Sequence, residues 1–178
     1  SEHTIRSAKS ARPGERLTPF PKRMCLMNVL RFLTPKSNVA YIYDDFTLRQ
    51  TLEKMEFHRY SAIPIINRAG EYVGTLTEGD LLWAIKNQYS LNLKEAENVP
   101  IMQVPRRMDN EPVTADTSME ELISVALNQN FVPVIDDRGV FIGIVTRKEI
   151  MRYFQEIARP RVERALRKEL ASASRIGI

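Results

Sequence analysis

Two stretches of the chain carry the same rhythm of apolar and polar positions. In the first, Val39 to Tyr43 is a short run of β-branched and aromatic residues, which predicts a strand. Asp45 then precedes a helical pattern that places Leu48, Leu52, Met55 and, at its end, Tyr60 on one face. Ala62 to Ile66 is almost wholly apolar, as in a strand buried on both sides. Asn67-Arg68-Ala69-Gly70 reads as a turn with Gly70 in the left-handed position. Tyr72 to Leu76 returns as the hairpin partner, and Thr77 opens a second helix through Leu81, Leu82 and Ile85. The second stretch predicts a strand at Pro112 to Ala115 and a helix at Ser118 to Asn128. A hairpin follows, Val132 to Ile135 and Val140 to Val145 about the Asp136-Asp137-Arg138-Gly139 turn, and then a helix from Thr146 to Ile157. The segment between the stretches carries a helical turn around Leu93 to Glu97. Beyond Pro160 a separate, weakly amphipathic basic helix is expected over Arg161 to Leu170, suited to a partner or dimer contact.

The match extends to individual residues. Pro64, Gly70, Gly74 and Thr77 align with Pro133, Gly139, Gly143 and Thr146 at one offset of 69. Leu48, Leu52 and Met55 align with Met119, Ile123 and Ala126 at 71, so the first copy has two extra residues between helix and strand. One supersecondary unit of order β-α-β-β-α is therefore used twice, leaving two equivalent clefts between the copies. The expected divisions are a leader at 1–26, a first repeat at 27–88, a linker at 89–108, a second repeat at 109–157 and a basic tail at 158–178.

Composition narrows the function classes. The 178 residues are 43% hydrophobic, a globular proportion. No run approaches the roughly 18 apolar residues of a membrane span, and the polar start has no signal-peptide pattern. The single cysteine, Cys25, excludes an internal disulfide, and a cytoplasmic protein is expected. The leader, with Pro13-Gly14, Pro19 and Pro21, is expected to be flexible, with Met24 or Met27 a candidate natural start. The net charge of +4 is unevenly spread. Residues 1–26 and 159–178 each hold six Lys/Arg against two Glu, while 27–158 hold 14 Lys/Arg against 18 Asp/Glu. The mildly acidic core thus weakens any claim that the repeats bind nucleic acid by charge alone. The basic strip of Arg152, Arg159, Arg161, Arg164, Arg167 and Lys168 reads as a solvated helix face, with a nucleic-acid-associated regulator as the alternative.

Catalysis is not expected, and neither a metal nor a cofactor is. The only histidines are His3 and His58, no Cys/His cluster has ligand spacing, and no nucleophile elbow or phosphate-binding glycine loop is present. His58 reads as an exposed residue at a helix C-terminus, or as a phosphate contact in the adjoining cleft.

An apolar-Pro-apolar strand, a Gly turn, apolar-Gly-apolar-apolar-Thr and then x-x-acid, twice in register, resembles the cystathionine-β-synthase (CBS) domain in tandem, the Bateman module. The likeness covers about residues 28–157. It implies an α+β fold of two β-α-β-β-α repeats packed through their sheets with pseudo-twofold symmetry, usually stacked as a homodimer. It also implies a regulatory ligand in the clefts, either AMP, ADP, ATP, S-adenosylmethionine or cyclic di-AMP. Ligand occupancy would be transmitted to an unidentified partner protein. A ligand-free structural scaffold is the alternative.

In such pairs each cleft joins the first strand and apolar-Pro segment of one repeat to the Thr-x-x-acid helix of the other. The resemblance thus assigns Asn38, Ala40, Tyr60, Ser61, Ala62 and Pro64 to one cleft with Thr146, Arg147, Lys148 and Glu149. It assigns Val113, Asn130, Phe131, Val132 and Pro133 to the other with Thr77 and Asp80. At each helix start, unpaired N–H groups favour an anion. Asp80 has two readings, a ribose-diol acceptor or the acid of a capping box, and the repeat context favours the ribose. For Glu149 the cap is preferred. The first cleft further resembles bacterial stand-alone cyclic di-AMP receptors. Tyr60-Ser-Ala-Ile-Pro64 and Thr146-Arg147-Lys148 stand near their Tyr-Thr-Ala-Ile-Pro and Thr-Arg-Arg. The departures are Ser61, Lys148, and Asn38 where those receptors carry Lys.

Overall fold

The computed structural model describes residues 28–88, 92, 94 and 97–176. The expected leader with Cys25, and most of the expected turn at 93–97, lie outside the described residues. Among the described residues seven strands form two sheets. The strands are β1 (Leu33–Pro35), β2 (Ile42–Tyr43), β3 (Ala62–Ile66), β4 (Tyr72–Thr77), β5 (Val113–Thr114), β6 (Phe131–Ile135) and β7 (Phe141–Thr146). The first sheet has the order β2-β3-β4 and the second β1-β7-β6-β5. The α-helices wholly within the described residues are α1 (Leu48–His58), α2 (Glu78–Gln88), α3 (Met119–Asn128) and α4 (Arg147–Ile176).

Both repeats have the expected β-α-β-β-α order. In each, a parallel first strand and an antiparallel hairpin flank a crossover helix: β2 and β5 run parallel to β3 and β6, which pair antiparallel with β4 and β7. The turn glycines do what the pattern asks. Gly70 and Gly139 sit at φ 89° and 83°, where a side chain would be strained. The pseudo-twofold axis passes between the two hairpin tips. Tyr72 N–H donates to Gly139 O at 3.1 Å, and Phe141 N–H donates to Gly70 O at 2.9 Å. Tyr72 and Phe141, equivalent by the 69-residue offset, stack at 6.2 Å. Around that axis Val39, Ala62, Ile66, Phe131, Phe141 and Ile144 form the apolar seam between sheets. Each repeat also has its own core. Ile42, Leu48, Ile63, Ile65 and Leu76 centre one, and Val29, Val113, Leu122, Val132 and Val145 the other.

Three details depart from the pattern. Thr47, not Asp45, caps α1: its hydroxyl accepts from Gln50 N–H while the Gln50 side chain accepts from Thr47 N–H. Asp45 instead holds Arg68 in a two-pronged ion pair at 2.8 and 3.0 Å. Helix α4 runs unbroken from Arg147 to Ile176 through Pro160, so the last repeat helix and the basic tail are one element. A proline in a helix removes one hydrogen bond and bends the axis, and an exposed helix tolerates that without ending. Finally, β1 comes from ahead of the first repeat yet pairs with β7 of the second, Leu33 opposite Val145. The preceding turn buries Val29 and Phe32 against the second core, where Phe32 meets Tyr153 edge-on at 5.2 Å.

Candidate functional site

The two repeats meet along β3 and β6, and a cavity of about 250 Å³ opens there. Val39, Arg59, Tyr60, Ser61, Ala62 and Pro64 line it from the first repeat, and Asn130, Phe131, Ile144 and Thr146 from the second. Its walls combine aliphatic and proline surface with a hydroxyl at each side, from Ser61 and Thr146. Such a slot can hold a flat heterocycle between apolar faces and offer hydrogen bonds at its edge. Thr146 ends β7 and opens α4, so the helix N-terminus lies at the cavity rim.

Five residues expected in this cleft are brought together: Tyr60, Ser61, Ala62, Pro64 and Thr146. Asn38 and Ala40 are replaced by the residue between them. Val39 is extended, at φ −117° and ψ 129°, so neighbouring side chains alternate in direction. Val39 faces the seam, while Ala40 packs on the first core and Asn38 is exposed. Asn130 and Phe131, expected in the opposite cleft, line this one. By the 69-residue offset they are the equivalents of Ser61 and Ala62, so both copies bring this same segment to one cavity.

The cations expected at the helix start have other positions. The Arg147 guanidinium donates to three carbonyls at the end of α3: Ala126 O at 3.1 Å, Leu127 O at 3.3 Å and Gln129 O at 2.8 Å. These are the orphan acceptors of a helix C-terminus, where a cation is also favoured by the dipole. Lys148 is exposed and outside the lining of the cavity. Thr146 Oγ1 accepts from Glu149 N–H at 3.2 Å, the expected cap, while the Glu149 carboxylate holds Arg152 at 2.9 and 3.0 Å.

Sequence reasoning missed Val39, Arg59 and Ile144. Strand alternation carried a signal for Val39. For Arg59 the signal was the pair of extra residues in the first copy. Helix α1 runs one residue longer than α3, and Arg59 then turns left-handed at φ 55°, ψ 41°. Its N–H donates to Glu56 and Met55 carbonyls, and Tyr60 N–H donates to Met55 O at 3.1 Å. The first copy thus closes its helix with its own backbone. The second, lacking those residues, uses the side chain of Arg147.

The residues assigned to the second cleft are engaged within the protein. Val113 and Val132 are buried in the core of the second repeat, and Pro133 is buried within β6. Asp80 is 2% exposed and has no free oxygen: Oδ2 accepts from Thr77 N–H at 2.9 Å and Thr77 Oγ1 at 2.7 Å, and Oδ1 from Arg107 N–H at 3.0 Å. The linker carrying Arg107 crosses this side. Asn110 Nδ2 donates to Phe131 O at 3.0 Å, and Tyr72 donates its hydroxyl proton to Asn110 O or Thr75 Oγ1, at 3.1 and 2.8 Å. Burial raises the Tyr72 phenol to a pKa of about 12, so it stays neutral and a donor. Arg106 lies over Gly74, held by Asp109 at 2.8 Å. In this structure Asp80 is the acid of the capping box, and it also anchors the linker.

A family model for the CBS domain matches residues 31–87 and 101–156. The chain belongs to the CBS domain family, with two repeats. A crystal structure of CbpB in complex with c-di-AMP has a TM-score of 0.69 and 23% identity to this chain, covering 79% of it and 92% of CbpB. CBSX2, solved in complex with AMP, gives 0.56 and 22%, covering 73% and 97%. At these identities the likeness is one of CBS-pair fold. An uncharacterized Methanopyrus kandleri protein is 28% identical over 99 residues, 56% of this chain and 49% of that protein. The chain spans about half the length of the first curated relatives it matches. Among the described residues of this CBS pair, no group of three or more His, Cys, Asp or Glu can hold a metal, and no helix is long and apolar enough to cross a membrane.

Proposed function

We infer that this CBS pair is a regulatory module that binds one adenine nucleotide in the open cleft and passes its occupancy to a partner protein. The observation that supports this is the cavity itself. It is built from both repeats, so a ligand that fills it contacts both. A contact that differs between two arrangements of the repeats shifts their populations, and nothing else about a ligand can do so. CbpB and CBSX2, of the same fold, were solved with c-di-AMP and AMP.

Between these ligand classes the cleft favours a mononucleotide. Its volume of about 250 Å³ lies at the small end of ligand sites, which run from about 300 Å³ for drug-sized molecules, so it suits one nucleoside. Arg147, the one arginine of the Thr146-Arg147-Lys148 segment that resembles the cyclic di-AMP receptors, serves the end of α3. Exposed Leu82 and Trp83 on α2 supply an apolar contact for the homodimer that the family resemblance implies. On α4 the equivalent positions are Met151 and Arg152, both exposed, while the neighbouring Tyr153 packs on Phe32 of the turn at Val29–Phe32.

Thermal-shift and calorimetric titration with AMP, ADP, ATP, S-adenosylmethionine and cyclic di-AMP tests this reading. A ligand at 100 times its dissociation constant adds about 2.7 kcal/mol of stability. AMP, ADP or ATP is expected to give that shift at one site per chain. No response to any of the five would leave a structural scaffold as the better description.

A further inference from the structure

We propose that Arg59 is the residue with which the open cleft reads the negative charge of its ligand, so that the cleft selects a nucleoside phosphate over the bare nucleoside. This rests on the nucleotide reading above and names the group that would recognise phosphate within it.

Position comes first. Arg59 lines the cavity beside Tyr60, Ser61 and Thr146 and also lines the grooves that adjoin it along α1 and α2. It therefore stands at the mouth, where the charged end of a nucleotide whose base is in the slot would emerge. Availability comes second. Arg147 is spent on three carbonyls, Lys148 lies outside the lining, and Arg106 is paired with Asp109. Among the described residues the exposed Arg59 side chain has neither an ion pair nor a hydrogen bond, so its planar fork of donors is open to an anion.

The backbone supplies an independent observation. Arg59 is the sole non-glycine residue at positive φ among the described residues; Gly70, Gly139 and Gly143 occupy the others. The position after a helix C-terminus is where glycine is most favoured, because a Cβ there is strained. The second repeat, two residues shorter here, passes from α3 to β6 through an extended Gln129 at φ −128°. The left-handed turn closes α1, but that task would be served with less strain by glycine, so the arginine side chain beside a cavity is what a ligand contact explains. The neighbouring charges sharpen the case. Glu56 and Glu78 line one adjoining groove, and Glu53 and Glu56 the other. Without the guanidinium these carboxylates would oppose a phosphate at the mouth.

Arg59→Gly is the variant that separates binding from folding, because glycine relaxes at this φ and is expected to keep or raise the melting temperature. Calorimetry with AMP and with adenosine on the full chain reads the effect. We expect Arg59→Gly to weaken AMP by about tenfold or more, the worth of a charged hydrogen bond, and to leave adenosine unchanged. Arg59→Lys should recover part of the loss, and Arg147→Ala should keep the wild-type ratio of AMP to adenosine affinity. A wild-type ratio in Arg59→Gly, or its collapse in Arg147→Ala, overturns the assignment. Equal wild-type affinity for AMP and adenosine also defeats it while leaving the nucleotide site standing. Wild-type protein that binds neither removes the nucleotide reading and the assignment together.

Discussion

The two clefts descend from one repeated pattern and have come to opposite ends. On one side Val39, Ala62, Pro64 and Ile144 leave an apolar slot with a rim of hydroxyls. On the other, Thr75 replaces Ile144 by the repeat offset and is fully buried, bonded to Tyr72, which bonds in turn to the linker at Asn110. Apolar walls have nothing to offer the protein's own polar groups, so the slot stays open. Polar walls recruit them, and the linker lies down on Asp80, Gly74 and Phe131. The lesson is that a sequence repeat transmits the fold but not the vacancy of its clefts. What lies opposite each copy decides that.

Equivalent glycines break the comparison most sharply. A Cβ at Gly143 would fall 2.2 Å from Thr34 O of β1, which is backbone held in a sheet. Gly143→Ala is expected to expel β1 and cost roughly 3 kcal/mol in urea unfolding. At Gly74 the nearest atom is the Arg106 side chain, 3.1 Å away, which can move, and Gly74→Ala should cost about 1 kcal/mol. Equal costs would mean that the two covers are equally rigid.

The two acids that follow the equivalent threonines of the repeats, Thr77 and Thr146, come next. Asp80→Ala strands the N–H groups of Thr77 and Arg107 and should cost about 2–3 kcal/mol, with faster proton exchange at Arg107. Glu149→Ala removes a half-exposed pair with Arg152 and should cost less than about 1 kcal/mol. A reversed order would show that the linker is not anchored through Asp80. The two helix ends give a smaller effect. Arg147→Ala should destabilise by about 1–2 kcal/mol and raise hydrogen exchange at the end of α3 alone, since α1 is closed by its own backbone.

Tyr72 gives a small effect and a pH dependence of fixed sign. Its phenol is near the ordinary value of 10 in the unfolded chain and about 12 in the folded one, so folding favours the protonated form. That contribution is fully present below pH 10 and is lost as pH rises from 10 to 12. Tyr72→Phe should lower stability near pH 7 by about 1 kcal/mol and flatten the alkaline loss. An unchanged alkaline slope would place the titration elsewhere.

The repeat order, both hairpins and the turn glycines at 70 and 139 were legible in the chain because each depends on neighbours in sequence. A period of alternating or helical burial, a threonine before a helix and a glycine in a turn carry their physics within a few residues. The same holds for five residues of the open cleft. Asp80 was legible as a cap but not as an anchor, because its second oxygen waits for Arg107. Pattern assigned Asn130 and Phe131 to the other cleft, and only the packing of the two copies brings them beside Ser61 and Ala62.

What the chain determined by itself was the pair of half-units and their like faces. The packing of distant segments decided which face stays open: β1 over Gly143, the linker over Gly74 and Asp80, Arg147 over the end of α3. Those contacts join residues from about 20 to more than 100 positions apart. They form because unpaired backbone groups and bare sheet edges must find partners wherever the fold brings them, and local sequence does not record that meeting.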